Sequence, residues 1–475
     1  MRNMNRREFV MGTGAAAAAL SLPIATERSL AQQQVKQLPS GYALVTSLRL
    51  PLVGIGAESV EQLINGEVAD WSYLGCPVSV VPVPMAIDGI VPGGLVPQTT
   101  AADFNELATA LDETPGGFAV VPTAQVDYRV NTLKISGVDP LLAAGTETEP
   151  IVRIGAVGDI IPGRNAAAHI REYGDYSLPL QRTKSVLAEF DFTFANFECF
   201  ISETLEFPEL VDPNALDFLT RPDFVPTMVE AGIDAVSMAN NHAVYSHAGW
   251  GLPAFNDTYS FLTNGGVPVF GAGADLDQAR QPFVTEVNGL SIAMYGVDGI
   301  TGNETWPNAL GVVSNAGSQA TANRGGTNPL NLEQVTADIS NMAGQYDIVI
   351  PFFHMSEQYF WTPQDWAIET ARQSIDAGAS CVVSSHPHTI QGWESYNGKP
   401  IFYGIGNFIY DQMFSVDTRQ GYVLELTFRG RNVIGFRIHG FEIEQFTQPR
   451  FMHQGEMAAL IDRFWLSTDL RAAGS

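Results

Sequence analysis

The chain has 475 residues, 45% hydrophobic and 16% charged, which excludes a disordered or collagen-like polymer and allows two or three domains with cores of their own. Acidic residues outnumber basic ones 51 to 25, giving a net charge of -26. No nucleic-acid partner is expected of such a surface, and an anionic substrate would need metals or arginines placed locally against the overall field.

Asn5-Arg6-Arg7-Glu8-Phe9-Val10 leads into an alanine-rich apolar run ending at Ile24, followed by Ser29-Leu30-Ala31. This layout over 1–31 resembles a twin-arginine export signal with a small-residue cleavage site, and a run of about 15 apolar residues falls short of the roughly 20 that span a bilayer. A periplasmic or extracellular location is the expectation. Residues 32–40 read as a polar linker. The unit from 41 to 145 predicts a strand at Tyr42–Val53, a helix at Ser59–Asn65 with Ser59 as its cap, a helix at Ala102–Leu111, and strands at Gly117–Pro122 and Val130–Ile135. The three cysteines, Cys76, Cys199 and Cys381, are widely spaced and read as buried thiols rather than a disulfide framework.

The second unit, 151–445, opens on an apolar strand ending in Asp159. Further apolar segments alternate with helical stretches: Phe192–Ala195, Ala235–Met238, Val267–Phe270, Ser291–Val297, Ile348–Phe353 and Cys381–Ser384. Such alternation predicts an α/β sheet with helices on its faces. Thr301–Asn328, rich in Gly, Asn and Thr, reads as a long loop. After Pro400 strands alone are expected, and 446–475 reads as a C-terminal tail.

Five segments put ligand-type residues directly after apolar strands, where open α/β sheets bind ligands. They are Gly158-Asp159, Ala195-Asn196-Phe197-Glu198, Ala239-Asn240-Asn241-His242, Phe352-Phe353-His354 and Ser384-Ser385-His386-Pro387-His388. Carboxylates, an Asn carbonyl and imidazoles form the donor set for Mn, Fe or Zn. Taken singly, Asp159 could cap a helix, Asn240-Asn241 could make a turn, and His354 could be a hydrogen-bonded core residue. His386-Pro387-His388 is harder to set aside, because alternation along an extended chain would turn both imidazoles to one side. Four of the eight histidines lie in these segments.

These motifs, with Gly163-Arg164, Ala231-Gly232-Ile233-Asp234 and Tyr403-Gly404-Ile405-Gly406-Asn407-Phe408, resemble the CapA family of poly-γ-glutamate capsule synthesis proteins within the calcineurin-like metallophosphoesterases. The resemblance implies a four-layer α-β-β-α sandwich, here preceded by a small α/β lobe, and a site for two divalent ions (Mn, Fe or Zn). By similarity Glu198 would bridge the ions, with Asp159 and His388 on one and Asn241, His354 and His386 on the other. His242 would protonate a leaving group, while Arg164 and Asn407 would hold an anionic substrate. The chain departs from the wider superfamily where Ile160-Ile161 follows Asp159 in place of a motif histidine. It departs from the family at Tyr245, His247 and Met355-Ser356-Glu357-Gln358-Tyr359. Pieces of the first unit, among them Ser59–Gly66 and Gly117–Pro122, resemble part of a periplasmic phosphate-binding protein.

The function so implied is capsule or cell-envelope polymer synthesis, by hydrolysis or transfer at a γ-glutamyl amide of an anionic polymer. Membrane-bound capsule-synthase subunits are the implied protein partners. A metal-dependent phosphoesterase and a non-catalytic polymer-binding scaffold are the alternatives.

Overall fold

A computed structural model describes residues 38–91, 94–142, 149–208, 216–301 and 316–474. The export-signal segment 1–31 lies outside the described residues, as do most of the linker and residues 302–315. Among the described residues no helix is long and apolar enough to cross a membrane.

The first unit is a five-stranded sheet in the order Thr99–Ala101, Val83–Ile87, Gly117–Pro122, Tyr42–Thr46, Asn131–Thr132. Alternation along Tyr42–Thr46 sends Leu44 to one face and Ala43 and Val45 to the other. Helix Ala57–Ile64 covers the first face with Val60 and Leu63, and helix Phe104–Glu113 covers the second with Leu107 and Leu111. Two expectations change. The strand beginning at Tyr42 stops at Thr46, where a turn closes as Leu50 N donates to Ser47 O, and the chain resumes pairing only at Gly54–Ile55. The first helix starts at Ala57 after Gly56, so Ser59 lies inside its first turn and makes no cap. Asp103 does cap the second helix, accepting from Glu106 N at 2.9 Å.

The second unit is built from two sheets. One runs Val269–Phe270, Ala235–Ser237, Phe192–Phe197, Ile151–Ile160, Gln420–Arg429, Asn432–Glu444, Gln448–Phe451, with Asn407–Ile409 also paired to Ile151–Ile160. The other runs Phe283–Val287, Leu290–Asp298, Ile348–His354, Val382–Ser385, Lys399–Ile405, Ile390–Tyr396. They face each other across a core that includes Val152, Ile154, Phe194, Ile292, Ile350, Phe402 and Leu424. Helices Phe224–Ala231 and Gly251–Asn264 pack on the outside of the first sheet, and Leu332–Ala343 and Asp365–Asp376 on the outside of the second. The four-layer α-β-β-α sandwich and its small preceding lobe are thus present. All three cysteines are buried and unpaired.

The end of the chain differs from expectation. Val416–Arg419 is a short helix, and 446–475 is no loose tail: it holds the strand Gln448–Phe451 and the 21-residue helix Gln454–Gly474. That helix buries Leu460, Ile461, Phe464 and Trp465 in the intersheet core, at about 1.5–3 kcal/mol for each large apolar side chain. Its Ser467 and Thr468 hydroxyls accept the N–H groups of Gly392 and Trp393, protecting the edge strand Ile390–Tyr396. Part of the expected long loop is also ordered, since Gly326–Thr327 pairs with Ala272–Gly273.

The two units meet through charge. Arg437 donates to Asp139 and to Thr132 O in the first unit and to Glu425 at 3.4 Å in its own sheet. Burial alone would raise the Glu425 carboxyl, but the hydrogen bond from His439 and the charges of Arg437, His439 and Arg153 outweigh it and hold the group well below the usual carboxylate range.

Candidate metal centre

Both sheets are parallel in their centres, and the polar residues collect where those strands end. Asp159 lies near the end of Ile151–Ile160, past a register shift between Val157 and Asp159, and pairs with Asn196 on one side and Asn407 on the other. Gly158 makes that placement possible: a Cβ there would stand 1.9 Å from the Gly406 carbonyl oxygen. From the second sheet, Asp298, His354 and Ser385 are paired in register across three neighbouring strands.

Asp159, Glu198 and His354 each offer a ligand atom, all within 4.8 Å of one another and all buried. His354 Nε2 lies 2.8 Å from Asn241 Oδ1 and 2.9 Å from His386 Nδ1. His388 Nδ1 lies 3.2 Å from Asp159 Oδ2. The six expected ligands therefore form one continuous cluster. Pro387 does not act through extended alternation, because His386 (φ 103°) and His388 (φ 58°) both occupy left-handed backbone. Non-glycine residues held in such conformations gather at functional sites.

The expected substrate groups are placed differently. Asn407 is fully buried behind His388, its Oδ1 2.8 Å from His388 Nδ1 and its amide donating to Thr418 O at 2.9 Å, so it orients a candidate ligand rather than facing a substrate. Arg164 is bound by Asp411, with its guanidinium over Phe218 and Tyr410, which offsets much of the charge it could offer an anion. His242 Nε2 stands 3.8 Å from Glu198 Oε1, against the Phe218 ring.

Three residues without an assigned role support the cluster. Asn196 Nδ2 donates to Asp159 Oδ1 at 2.8 Å and Glu198 Oε2 at 2.9 Å, and Asn240 Nδ2 holds Asn196 Oδ1 at 3.0 Å. Asp298, fully buried, accepts from the Ile300 and Thr301 N–H groups and from Thr327 Oγ1. The signal for it was in plain view: like Asp159, it is an acid closing an apolar strand.

Burial, reinforced by the Asp159 charge, pushes the Glu198 carboxyl well above its usual range. Burial, then the neighbouring His386 and His388, pushes the His354 imidazole down, and His386 is lowered by burial and by His388 and His242. His242 is lowered to about 3 by burial, then by His388 and Arg164. His242, His354 and His386 are thus held neutral, the form of imidazole that binds a metal. Asp159 Oδ2 and Glu198 Oε1 are buried without a hydrogen-bond partner among the described residues. Buried carboxylate oxygens left in that state beside neutral imidazoles fit a divalent cation, and the mixed O/N donor set suits Mn, Fe or Zn.

Over 303 residues the chain is 26% identical to the PGA biosynthesis protein CapA of Bacillus subtilis (strain 168), covering 64% of this chain and 74% of that one. Among solved structures, the calcineurin-like phosphoesterase YfkN from Bacillus subtilis aligns with 68% of this chain and 99% of its own, at 12% identity and a TM-score of 0.35. An ABC-type phosphate transport receptor from Vibrio cholerae aligns with 21% of this chain and 48% of its own, at 13% identity and a TM-score of 0.20. The family model of the bacterial capsule synthesis protein PGA_cap matches residues 153–412, more than half the chain and all of the clustered residues, and the chain belongs to that family.

Proposed function

We propose that the protein is an exported metal-dependent hydrolase or transferase of capsule or cell-envelope polymer synthesis, acting on a γ-glutamyl amide of an anionic polymer such as poly-γ-glutamate. The observation that carries this reading is the pair of buried oxygens that accept no hydrogen bond among the described residues, Asp159 Oδ2 and Glu198 Oε1, beside the neutral imidazole of His354. Family membership supplies the polymer class.

In this reading Asp159, Glu198, Asn241, His354, His386 and His388 would hold the divalent ions. Bound divalent ions supply Lewis acidity, lowering the pKa of water and polarising the bond under attack. Asn196 fixes both carboxylates by donating to one oxygen of each, which leaves the other oxygen directed at the cluster. His242, neutral and beside Glu198, is placed to accept the proton released by the attacking water and then hand it to the departing amine. Burial against the Phe218 ring limits water around it.

The test is metal analysis of the purified mature protein beside the His386→Ala/His388→Ala variant, with assays on poly-γ-glutamate and on a generic phosphodiester. Divalent metal in the parent, lost in the variant together with amide cleavage, supports the reading. Cleavage of the phosphodiester alone moves the assignment to a phosphoesterase. A metal-free parent that cleaves neither points to a polymer-binding scaffold. The export proposal is tested by changing Arg6 and Arg7 to Lys, which should retain the protein in the cytoplasm; unchanged export would overturn the twin-arginine route.

A further inference from the structure

Beside the ligand cluster the surface carries aromatic side chains for which folding gives no reason. Tyr359 is 43% exposed, Phe360 50%, Trp361 40% and Phe414 71%. Exposed apolar groups gathered at one place mark interaction sites more often than exposed single residues do.

The backbone beneath them is firmly held. Tyr359 N donates to Pro387 O at 2.8 Å, and Thr389 Oγ1 and Gln391 Nε2 donate to Phe360 O at 3.1 and 3.0 Å. Ser467 donates to Trp361 O, and Trp361 Nε1 donates to Asp417 at 3.3 Å. Tyr359 sits at φ 67°, a conformation costly for an aromatic residue and kept only where its surroundings enforce it. These contacts fix the segment while leaving the rings in water.

The patch is continuous with the metal centre. The Tyr359 ring lies 6.0 Å from that of His388 and 5.7 Å from that of Phe414, and Gln412 Nε2 donates to its hydroxyl at 2.8 Å. The aromatic patch thus reaches the edge of the ligand cluster through Tyr359.

The arginines around the patch are each engaged by an acid: Arg164 by Asp411, Arg463 by Asp417 at 2.7 Å and Arg419 by Glu442 at 3.4 Å. A row of substrate carboxylates would find little cationic surface here, whereas aromatic faces are plentiful. Such faces bind planar amides and C–H groups by contact and loss of hydration.

Resting on the reading of the centre as acting on a γ-glutamyl polymer, we propose that Tyr359, Trp361 and Phe414 form a platform for the stretch of chain flanking the reacting bond. The platform grips amide planes and the two methylenes of each unit and leaves the carboxylates in water. Length of neutral face, rather than density of charge, then sets how the polymer is held. The fold thereby accommodates a polyanion on a protein whose own net charge is -26.

The experiment is calorimetric titration of the full metal-loaded mature protein with defined poly-γ-glutamate oligomers, using the parent, Phe414→Ala, Trp361→Ala, the conservative Phe414→Tyr and, as a distant control, Tyr73→Ala. Each platform alanine should weaken binding about five- to tenfold with metal content unchanged, while Phe414→Tyr and Tyr73→Ala bind as the parent does. Between about 50 and 200 mM salt the parent's affinity should change less than about threefold, where a groove of ion pairs would lose orders of magnitude. Alanine variants that bind like the parent, a steep salt dependence, or no binding by the parent would each overturn the platform. Cleavage by a parent whose binding is indifferent to these variants removes the platform and leaves the catalytic reading. Binding that is lost in the variants, with no cleavage by the parent, does the reverse.

Discussion

His388 Nδ1 lies 2.8 Å from Asn407 Oδ1 in a fully buried pair. An amide oxygen can only accept, so Nδ1 carries the proton and Nε2 keeps its lone pair for a metal. Loss of a group that fixes a ligand histidine in this way typically costs about ten- to a hundredfold in metal affinity. Asn407→Ala is expected to lower affinity by about ten- to a hundredfold while the fold persists. Competition with a metal indicator, alongside circular dichroism, checks this, and unchanged affinity would remove Asn407 from the centre.

Glu198 is the place where stability is given up for the site. Its folded-state pKa is raised, so its contribution to stability is fully present below the unfolded carboxylate value and is lost as pH rises through the folded value. In the metal-free protein burial and the Asp159 charge therefore disfavour the ionised form of this carboxyl. Glu198→Gln should make the metal-free protein more stable by at least about 1 kcal/mol, seen as a melting temperature about 2–4 °C higher for each kcal/mol. The parent should regain the difference when metal is added, and the variant should not. A variant melting below the metal-free parent at neutral pH contradicts this account.

Gly158 is a steric requirement of the Asp159 position. With its Cβ 1.9 Å from the Gly406 carbonyl, alanine must push apart two strands of the first sheet at the ligand itself. Gly158→Ala is expected to cost about 1–3 kcal/mol or more and to reduce metal binding beyond what the stability loss explains. Denaturant melts with metal titration measure both, and normal metal affinity in a stable variant would count against it.

Glu425 should govern the acid limb of the stability curve. Its folded pKa is depressed, so its contribution is present above the unfolded carboxylate value of about 4.3 and lost as pH falls through the folded value. Glu425→Gln leaves Arg437 without one of its two acids, at about 3–5 kcal/mol near neutrality. The gap between parent and variant should close below about pH 4. Urea melts across the pH range read this directly; a gap independent of pH would show that packing, rather than charge, sets the effect.

Much of the sandwich was legible because its strands are apolar runs ending in polar residues. Ile151–Ile160, Ile348–His354 and Val382–Ser385 appear close to where the residue pattern puts them. The helix at 454–474 replaces the expected tail: Leu460, Ile461, Phe464 and Trp465 recur at helical spacing and bury one face, a signal that lies beyond the family motifs. The helix beginning at Ala57 shows the opposite error: serine is a common cap, yet here the neighbouring Ser136 hydroxyl accepts the Ala57 N–H and the start moves forward.

For the site, the sequence by itself determined the ligand-type residues, their order and the family to which they belong, since donor chemistry and strand ends are local properties. Tertiary structure decided where each residue stands and what it touches. The pairing of Ile151–Ile160 with Asn407–Ile409 sets Asn407 behind His388, and a contact across the fold with Asp411 engages the charge of Arg164. Those partners lie 19 and 247 residues apart, and no local pattern encodes a hydrogen bond across such a separation. It exists because two sheets packed on one core bring the ends of their strands to a single place.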